Sequence, residues 1–152
     1  MDMSAALEER VTQTLCGSCI CGNASWMLQG DPGIITACNC SMCGKLGTMW
    51  AYGYDQEDQE GNIKVTGIFN SYSRVCEGEE KPGLEIKFCP TCANVLCWWG
   101  YSTDERGRRR MAVNVRLANY AEVASLPLKH FDGYDTFQSL PLDGQCVKDQ
   151  WF

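Results

Sequence analysis

Seven of the eleven cysteines of this chain fall into three short clusters. The clusters are a CxC pair, a CxCxxC trio and a CxxC pair, namely Cys19 and Cys21, then Cys38, Cys40 and Cys43, then Cys89 and Cys92. Such spacings are typical of tetrahedral zinc sites. Four thiolates close one site, and the other three leave a second site with an open coordination position, as in catalytic zinc centres. The spacing therefore predicts two metals and favours an enzyme.

The two pairs are expected to share one structural zinc. Alternate residues of an extended chain face the same way, so Cys19 and Cys21 can bind one metal from a strand or from its turn. Cys89 and Cys92 have the two-residue gap of a zinc knuckle. Such a site joins the N-terminal strands to the C-terminal half, and its binding free energy adds to folding by on the order of 10 kcal/mol.

The trio has no obvious fourth partner in sequence and is predicted to be the open, catalytic site. Three thiolates on Zn²⁺ leave a formal charge of about minus one, so a bound water is less acidic than at an imidazole site. This favours a sulfur ligand, such as a substrate thiol held for attack on a carbonyl carbon or for release from one. The alternative is an ordinary closed site, completed by one of Cys16, Cys76, Cys97, Cys146 or His130.

Bulk properties narrow the classes of function. The chain has 152 residues, a net charge of −6 and no long basic stripe, so we expect one domain and no nucleic-acid partner. Four arginines surround Gly107, at 106, 108, 109 and 110, and this pattern favours a solvated hairpin tip over an anion site. No secretory signal or membrane span is evident, so a cytoplasmic protein with reduced cysteines is expected.

The pattern of the chain is mostly β, with short strands and one or two short helices. Nine strands are predicted, at 11–16, 24–29, 33–38, 48–54, 62–67, 69–74, 84–89, 95–101 and 110–116. Helices are predicted at 41–46 and 119–124, the second because Asn119 and Glu122 resemble a capping box. We predict an N-terminal arm at 1–13, a zinc-binding domain at 14–140 and a tail at 141–152.

Four segments together resemble one known family. They are GSCICG at 17–22, CNCSMCGKLG at 38–47, FCPTC at 88–92 and PLKHF at 127–131. In order, internal spacing and separation they resemble the glutathione-dependent formaldehyde-activating enzyme family, also called the centromere protein V family. The resemblance spans roughly residues 14–137.

The resemblance implies an Mss4-like (β-tent) zinc-binding fold. In it, Cys19, Cys21, Cys89 and Cys92 match the structural zinc ligands, and Cys38, Cys40 and Cys43 match the catalytic ones. Family members are carbon–sulfur lyases that make or break S-hydroxymethylglutathione, so glutathione is a possible co-substrate.

Other residues are candidates for substrate contact or proton transfer. Trp50, Tyr52 and Tyr54 alternate after the trio, and Trp98, Trp99 and Tyr101 follow the last pair, so six rings can lie near one another. They form either a sheet core or a wide aromatic pocket, for which Trp50, Tyr52, Trp98 and Lys45 are the predicted substrate contacts. His130 is a candidate proton shuttle or fourth ligand, against a purely packing role.

The sequence thus favours a zinc-dependent carbon–sulfur lyase with a small-molecule substrate. The substrate is a thiol–carbonyl adduct or a carbonyl, and the aromatic residues suggest a bulky aromatic specialised metabolite rather than S-hydroxymethylglutathione. Two alternatives stay open: a non-catalytic zinc-binding interaction module, and a zinc Lewis-acid dehydratase or isomerase on the same fold. A homo-oligomer is compatible with either.

Overall fold

The structure is a computed structural model that describes residues 13–57 and 60–150. Within these ranges it contains eleven strands, two short α-helices and two 3-10 helices. The strands are β1 (Thr14–Ser18), β2 (Ala24–Gln29), β3 (Ile35–Cys38), β4 (Trp50–Tyr54), β5 (Ile63–Gly67), β6 (Asn70–Ser73), β7 (Leu84–Phe88), β8 (Val95–Thr103), β9 (Arg109–Asn114), β10 (Leu128–Asp132) and β11 (Gln138–Ser139). The helices are α1 (Ser41–Leu46) and α2 (Tyr120–Val123), and the 3-10 helices are Val115–Leu117 and Val147–Gln150.

The mostly β prediction is confirmed, and each of the nine predicted strands overlaps an observed one. Both predicted helices are present, and Asn119 caps α2 by accepting from the N–H of Ala121. The sequence analysis missed β10 and β11. Apart from Gln13, the predicted N-terminal arm lies outside the described residues.

The strands form two sheets. The smaller has the order β1-β2-β5, and the larger has the order β11-β10-β3-β4-β9-β8-β7-β6. Neighbours in both sheets are antiparallel, except that β10 runs parallel to β3 and places His130 opposite Ala37 and Phe131 opposite Cys38. A strand from the C-terminal region therefore lies beside the strand that ends at the cysteine trio.

The main hydrophobic core lies between the two sheets. Alternating residues of β1 and β2, such as Leu15, Trp26 and Leu28, are almost fully buried against residues of the large sheet such as Met111 and Val113. Alternation of this kind is expected where only one face of a strand meets the core.

The opposite face of the large sheet carries a second, smaller cluster. Trp50, Ile86 and Ala112 are buried there, with Trp98 and residues of α1 packed against them. Helix α1 follows Cys40 directly, so this second face adjoins the cysteine trio.

The six aromatic rings considered in the sequence do not form one group. Trp98 and Trp99 are consecutive in β8, so they face opposite sides of the sheet. Trp98 joins Tyr52, with ring centroids 5.9 Å apart, whereas Trp99 packs on Tyr101 at 5.2 Å. Only part of the predicted aromatic set is therefore near the trio.

The solvated hairpin tip predicted for the four arginines holds for only two of them: Arg106 and Arg108 lie in the turn, whereas Arg109 and Arg110 belong to β9, and Arg110 lines a pocket. In the turn between β8 and β9, Arg108 donates two hydrogen bonds to Oδ2 of Asp104, at 2.8 and 2.9 Å. The arginines diverge from this point: Arg109 stacks on Trp99, and Arg110 stacks on Tyr52. They do not form a single basic patch.

Part of the predicted C-terminal tail packs on the core. Val147 is fully buried, and its N–H donates to the carbonyl of Leu126. None of the helices in the described ranges combines the length and the apolar character that crossing a membrane requires.

Candidate metal centres

Two tight turns present the four cysteines of the closed site. Cys19 begins the turn between β1 and β2, and Cys89 begins the turn between β7 and β8. In each turn the N–H of this first cysteine donates to a carbonyl five residues later, that of Ala24 at 3.0 Å or that of Asn94 at 2.9 Å. Two segments that are far apart in sequence thus form similar knuckles.

Each knuckle contains a residue with positive φ directly after its second cysteine. Gly22 has φ 77°, which is easy for glycine, whereas Ala93 has φ 63°. An L-residue in this left-handed conformation costs roughly 1–2 kcal/mol. The second knuckle therefore holds Ala93 in a conformation that glycine would adopt more easily.

The sulfur geometry of the closed site fits zinc. All four Sγ atoms lie within 4.8 Å of one another, with Cys19 to Cys21 at 3.6 Å and Cys21 to Cys89 at 3.5 Å. A regular tetrahedron with Zn–S bonds of about 2.3 Å has sulfurs about 3.8 Å apart. Donation from the backbone N–H of Asn94 and of Cys21 lowers the pKa of Cys92 to about 6, whereas burial and the neighbouring cysteines raise the pKa of Cys21.

Asn94 connects the two knuckles and was not identified in the sequence. Its Oδ1 accepts from the N–H of Ile20 at 2.8 Å and lies 3.6 Å from Sγ of Cys92. Partners behind the ligands orient them, and their loss commonly weakens metal binding. Nothing in the spacing of the sequence marks Asn94, because its partner is 74 residues away.

The trio is assembled where β3 meets α1. Cys38 is the last residue of β3, Cys40 is the N-cap of α1, and Cys43 lies in the first turn. Their three Sγ atoms lie within 4.8 Å of one another. This arrangement follows from local structure, because an N-cap side chain and the first turn of its helix are neighbours in space.

Three N–H groups point at the sulfurs of the trio. The N–H of Cys40 donates to Sγ of Cys38 at 3.4 Å, and the N–H of Cys43 donates to Sγ of Cys40 at 3.4 Å. Nε1 of Trp50 donates to Sγ of Cys43 at 3.3 Å. Burial raises the pKa of Cys40, but several hydrogen bonds, the strongest from the backbone of Cys43, together outweigh it and lower the pKa overall. At Cys38 and Cys43 burial prevails, and the pKa is raised. The donors stabilise negative charge on sulfur, as a metal site of thiolates requires.

Gly133 covers the trio and was missed in the sequence. A Cβ at this position would lie 2.8 Å from Sγ of Cys38 and 2.9 Å from Cβ of Cys40. The backbone of the loop at 133–137 therefore approaches the sulfurs more closely than any other residue type would allow. With the backbone packed this closely, the three sulfurs remain near enough to one another to bind a single metal ion.

The trio has no fourth ligand from the described part of the chain. Within these ranges no further His, Cys, Asp or Glu joins the three sulfurs in a group with ligand atoms within 4.8 Å of one another. His130 is not in the group: its Nδ1 lies 3.9 Å from Oδ2 of Asp143, and it lines a pocket of about 240 Å³ that also includes Cys38. A metal held by these three sulfurs would therefore keep one coordination position open for another molecule.

A cleft of about 460 Å³ borders the trio on the second face of the large sheet. We call this space the cleft. Cys40 and Cys43 line it, and Trp50, Trp98 and Ile86 form much of its apolar wall. Its size is within the range of small-molecule sites.

The predicted substrate contacts are placed unequally around the cleft. Trp50 and Trp98 line it, whereas Tyr52 packs edge-on against Trp98 and is not part of the lining. Lys45 is exposed in α1 and is also not among the lining residues. Arg74 and Arg110 do line the cleft, although the sequence analysis assigned them no role there.

Comparison of the sequence with known protein families, and with curated proteins, gives no match.

Proposed function

We propose that this protein is a zinc-dependent enzyme of the carbon–sulfur lyase type, in the glutathione-dependent formaldehyde-activating enzyme family and with its Mss4-like fold. The proposed substrate is a thiol–carbonyl adduct or a carbonyl with a bulky aromatic group. One observation carries the proposal: three convergent cysteine sulfurs, with no fourth ligand from residues 13–57 and 60–150, border a cleft of about 460 Å³.

The donor set of the trio matches zinc in chemical type. Thiolates are soft ligands that select zinc over the hard cations, and three of them leave one tetrahedral position open. Zinc bound there would supply a Lewis acid that takes up a thiolate sulfur. The four-cysteine group has no open position and is assigned a structural role.

The residues of the cleft are suited to hold an aromatic substrate. Trp50 and Trp98 present broad apolar surfaces, and Leu84 and Ile86 extend the same wall. Burial of an aromatic ring against such a wall excludes water and contributes most of the binding energy. Formaldehyde would leave most of this volume unused, which favours a larger substrate.

The proposed reaction requires one proton transfer and one bond cleavage. In the lyase direction, the hydroxyl of a hemithioacetal gives up its proton, the C–S bond breaks, and its electron pair remains on sulfur. The products are a carbonyl and a thiolate, so atoms and charge balance. His130, the only imidazole in the sequence, is the proposed proton acceptor. It does not line the cleft but a separate pocket that reaches the trio at Cys38, so the proton would leave on the Cys38 side of the trio.

The experiment compares the wild type with Cys40→Ser and with the control Cys16→Ser, a change at an exposed cysteine of β1 that belongs to neither group. Zinc content is measured by mass spectrometry. Turnover is followed by NMR with formaldehyde and glutathione, and with aryl aldehydes and a thiol. We expect two zinc ions in the wild type and the control, about one in Cys40→Ser, and loss of turnover only in Cys40→Ser.

Equal turnover by Cys40→Ser would contradict the catalytic assignment. Absence of turnover in the zinc-loaded wild type with every substrate pair would instead favour a non-catalytic zinc-binding module.

A further inference from the structure

The cleft contains two arginines that no part of the proposed chemistry uses. Arg110 is in β9, which pairs with β4, and Arg74 follows β6. Glu79 is the only acidic residue among those lining the cleft in the described part of the chain. Without the trio and its metal, the lining therefore carries one formal positive charge in excess.

Arg110 has no carboxylate partner among the residues that the structure describes. Two arginines of the same hairpin do have one: Arg106 lies 3.6 Å from Glu60, and Arg108 lies 2.8 Å from Asp104. No carboxylate of the described residues lies within 4.0 Å of the guanidinium of Arg110. Arg110 is an exposed residue and lines the cleft. A guanidinium without a carboxylate partner is available to an anionic group that enters the cleft.

The guanidinium of Arg110 is held in place by an aromatic ring. It lies 4.7 Å from the ring centroid of Tyr52, and Tyr52 is in turn packed edge-on against Trp98. Burial raises the pKa of Tyr52, so its ring is neutral at physiological pH. Stacking fixes the plane of the guanidinium and leaves its N–H edge to donate, the geometry in which arginine binds a carboxylate through two parallel bonds.

Arg74, the second arginine of the cleft, is positioned by α1. Its NH1 donates to Oγ of Ser41 at 3.3 Å, and Ser41 directly follows Cys40. Glu79 is not within ion-pair distance of Arg74 or of Arg110. Neither cation is therefore neutralised by the acidic residue that shares the cleft.

We infer that the cleft recognises a substrate that carries a carboxylate as well as an aromatic body, with Arg110 and Arg74 binding the carboxylate and Trp50 and Trp98 contacting the ring. The inference rests on the proposed function, because it takes the cleft to be the substrate site. It adds a charged group to the substrate class and makes Arg110 a specificity-determining residue.

The test measures binding to the zinc-loaded full chain by isothermal titration calorimetry. The probes are 3-phenylpropanoate, which has no thiol, and its neutral methyl ester. The variants are Arg110→Gln, Arg110→Lys and Arg74→Gln, with Arg106→Gln as the control, since Arg106 belongs to the same hairpin but does not line the cleft. Circular dichroism checks that each variant is folded.

We expect the wild type and Arg106→Gln to bind the acid about tenfold more tightly than the ester, the effect of one exposed charge-assisted contact. Arg110→Gln should remove most of this preference, Arg74→Gln should reduce it, and Arg110→Lys should keep part of it because lysine retains the charge without the planar fork. Equal binding of acid and ester by the wild type would overturn the inference. So would a full preference in both glutamine variants, or no binding of the acid at millimolar concentration.

The thiol-free probe separates this inference from the proposed function. If the preference for the acid depends on Arg110 but no substrate pair is turned over, the carboxylate site stands and the lyase proposal fails. If turnover is present but the preference for the acid is absent, the lyase proposal stands and the carboxylate site fails.

Discussion

The side-chain amide of Asn39 donates from Nδ2 to Oδ1 of Asp132 across 3.0 Å. Asn39 lies between Cys38 and Cys40, and its Oδ1 also accepts from the N–H of Tyr134 at 3.0 Å. The cysteine trio and the loop at 133–137 are therefore joined through one amide. Because this loop includes Gly133, the contact also sets how closely the backbone covers the sulfurs.

Asp132→Asn should destabilise the fold at neutral pH, with a smaller effect in acid. Donation from the N–H of Thr136, together with the amide of Asn39, holds the pKa of Asp132 well below its usual range. A lowered folded-state pKa stabilises the protein fully above the unfolded value of about 4, and the stabilisation is lost as pH falls through the folded value. Urea unfolding of both proteins from pH 7 to pH 3 checks this. A difference in unfolding free energy that does not shrink below about pH 4 would contradict it.

Gly133→Ala should disrupt the open site and spare the closed one. The added Cβ would lie under 3 Å from Sγ of Cys38, so the loop or the sulfur must move. We expect zinc content to fall from two to about one per chain. The control is Gly44→Ala in α1, where a Cβ meets no atom within 4 Å. It should stabilise the helix by about 0.5–1 kcal/mol and keep both zinc ions. Loss of zinc from the control alone would refute the steric argument.

Ala93→Gly should stabilise the zinc-bound protein. Ala93 has φ 63°, and glycine adopts this conformation without the steric cost of a Cβ. Part of the gain is lost to the greater entropy of unfolded glycine, so we expect a net increase of about 0.5–1 kcal/mol. The matched variant Gly22→Ala places the same strain in the first knuckle and should destabilise by about 1 kcal/mol. Thermal unfolding of both, with zinc bound, measures the two effects; changes of the same sign would contradict the explanation.

Trp50→Phe should weaken zinc binding at the trio while it preserves the apolar wall. The change removes the Nε1 donor that lies 3.3 Å from Sγ of Cys43 and keeps an aromatic ring. Removal of a partner behind a metal ligand commonly lowers affinity by about 10-fold or more. Competition with a chelator measures this affinity. Trp98→Phe is the control, because Trp98 lines the same cleft and has no hydrogen bond to a cysteine of the trio. Equal affinities in both variants would show that the N–H···S contact has no effect.

The grouping of the cysteines could be predicted from the sequence, because most of the cysteines in each group are close neighbours along the chain. Cys40 and Cys43 are brought together by one helical turn, and Cys89 and Cys92 by one knuckle, so their spacing carries the geometry. The structure places the seven sulfurs in the same groups of four and three that the spacing suggested. The strands of the interior were accessible for a similar reason, since alternation of buried residues has a period of two.

Strand β10 and the residues that support the cysteine groups could not be predicted from the sequence in the same way. β10 has one buried residue followed by four half-buried ones, and it pairs in parallel with a strand about ninety residues earlier, so its sequence lacks a clear alternation. The separation of Trp98 from Trp99 is an exception, because consecutive residues of a strand face opposite sides of the sheet. Asn94 and Gly133 carry no local signal, because each acts on a segment that is distant in the chain.

The sequence by itself determined the candidate metal ligands and the mostly β character, because both arise from short-range spacing. Only the tertiary structure decided what surrounds the sulfurs. It brought the loop at 133–137 against the trio, left the trio without a fourth ligand within the described residues, and placed Arg110 and Arg74 beside Trp50 and Trp98 in one cleft. These neighbours come from different strands and loops, and their proximity depends on sheet order and register, which no local pattern specifies.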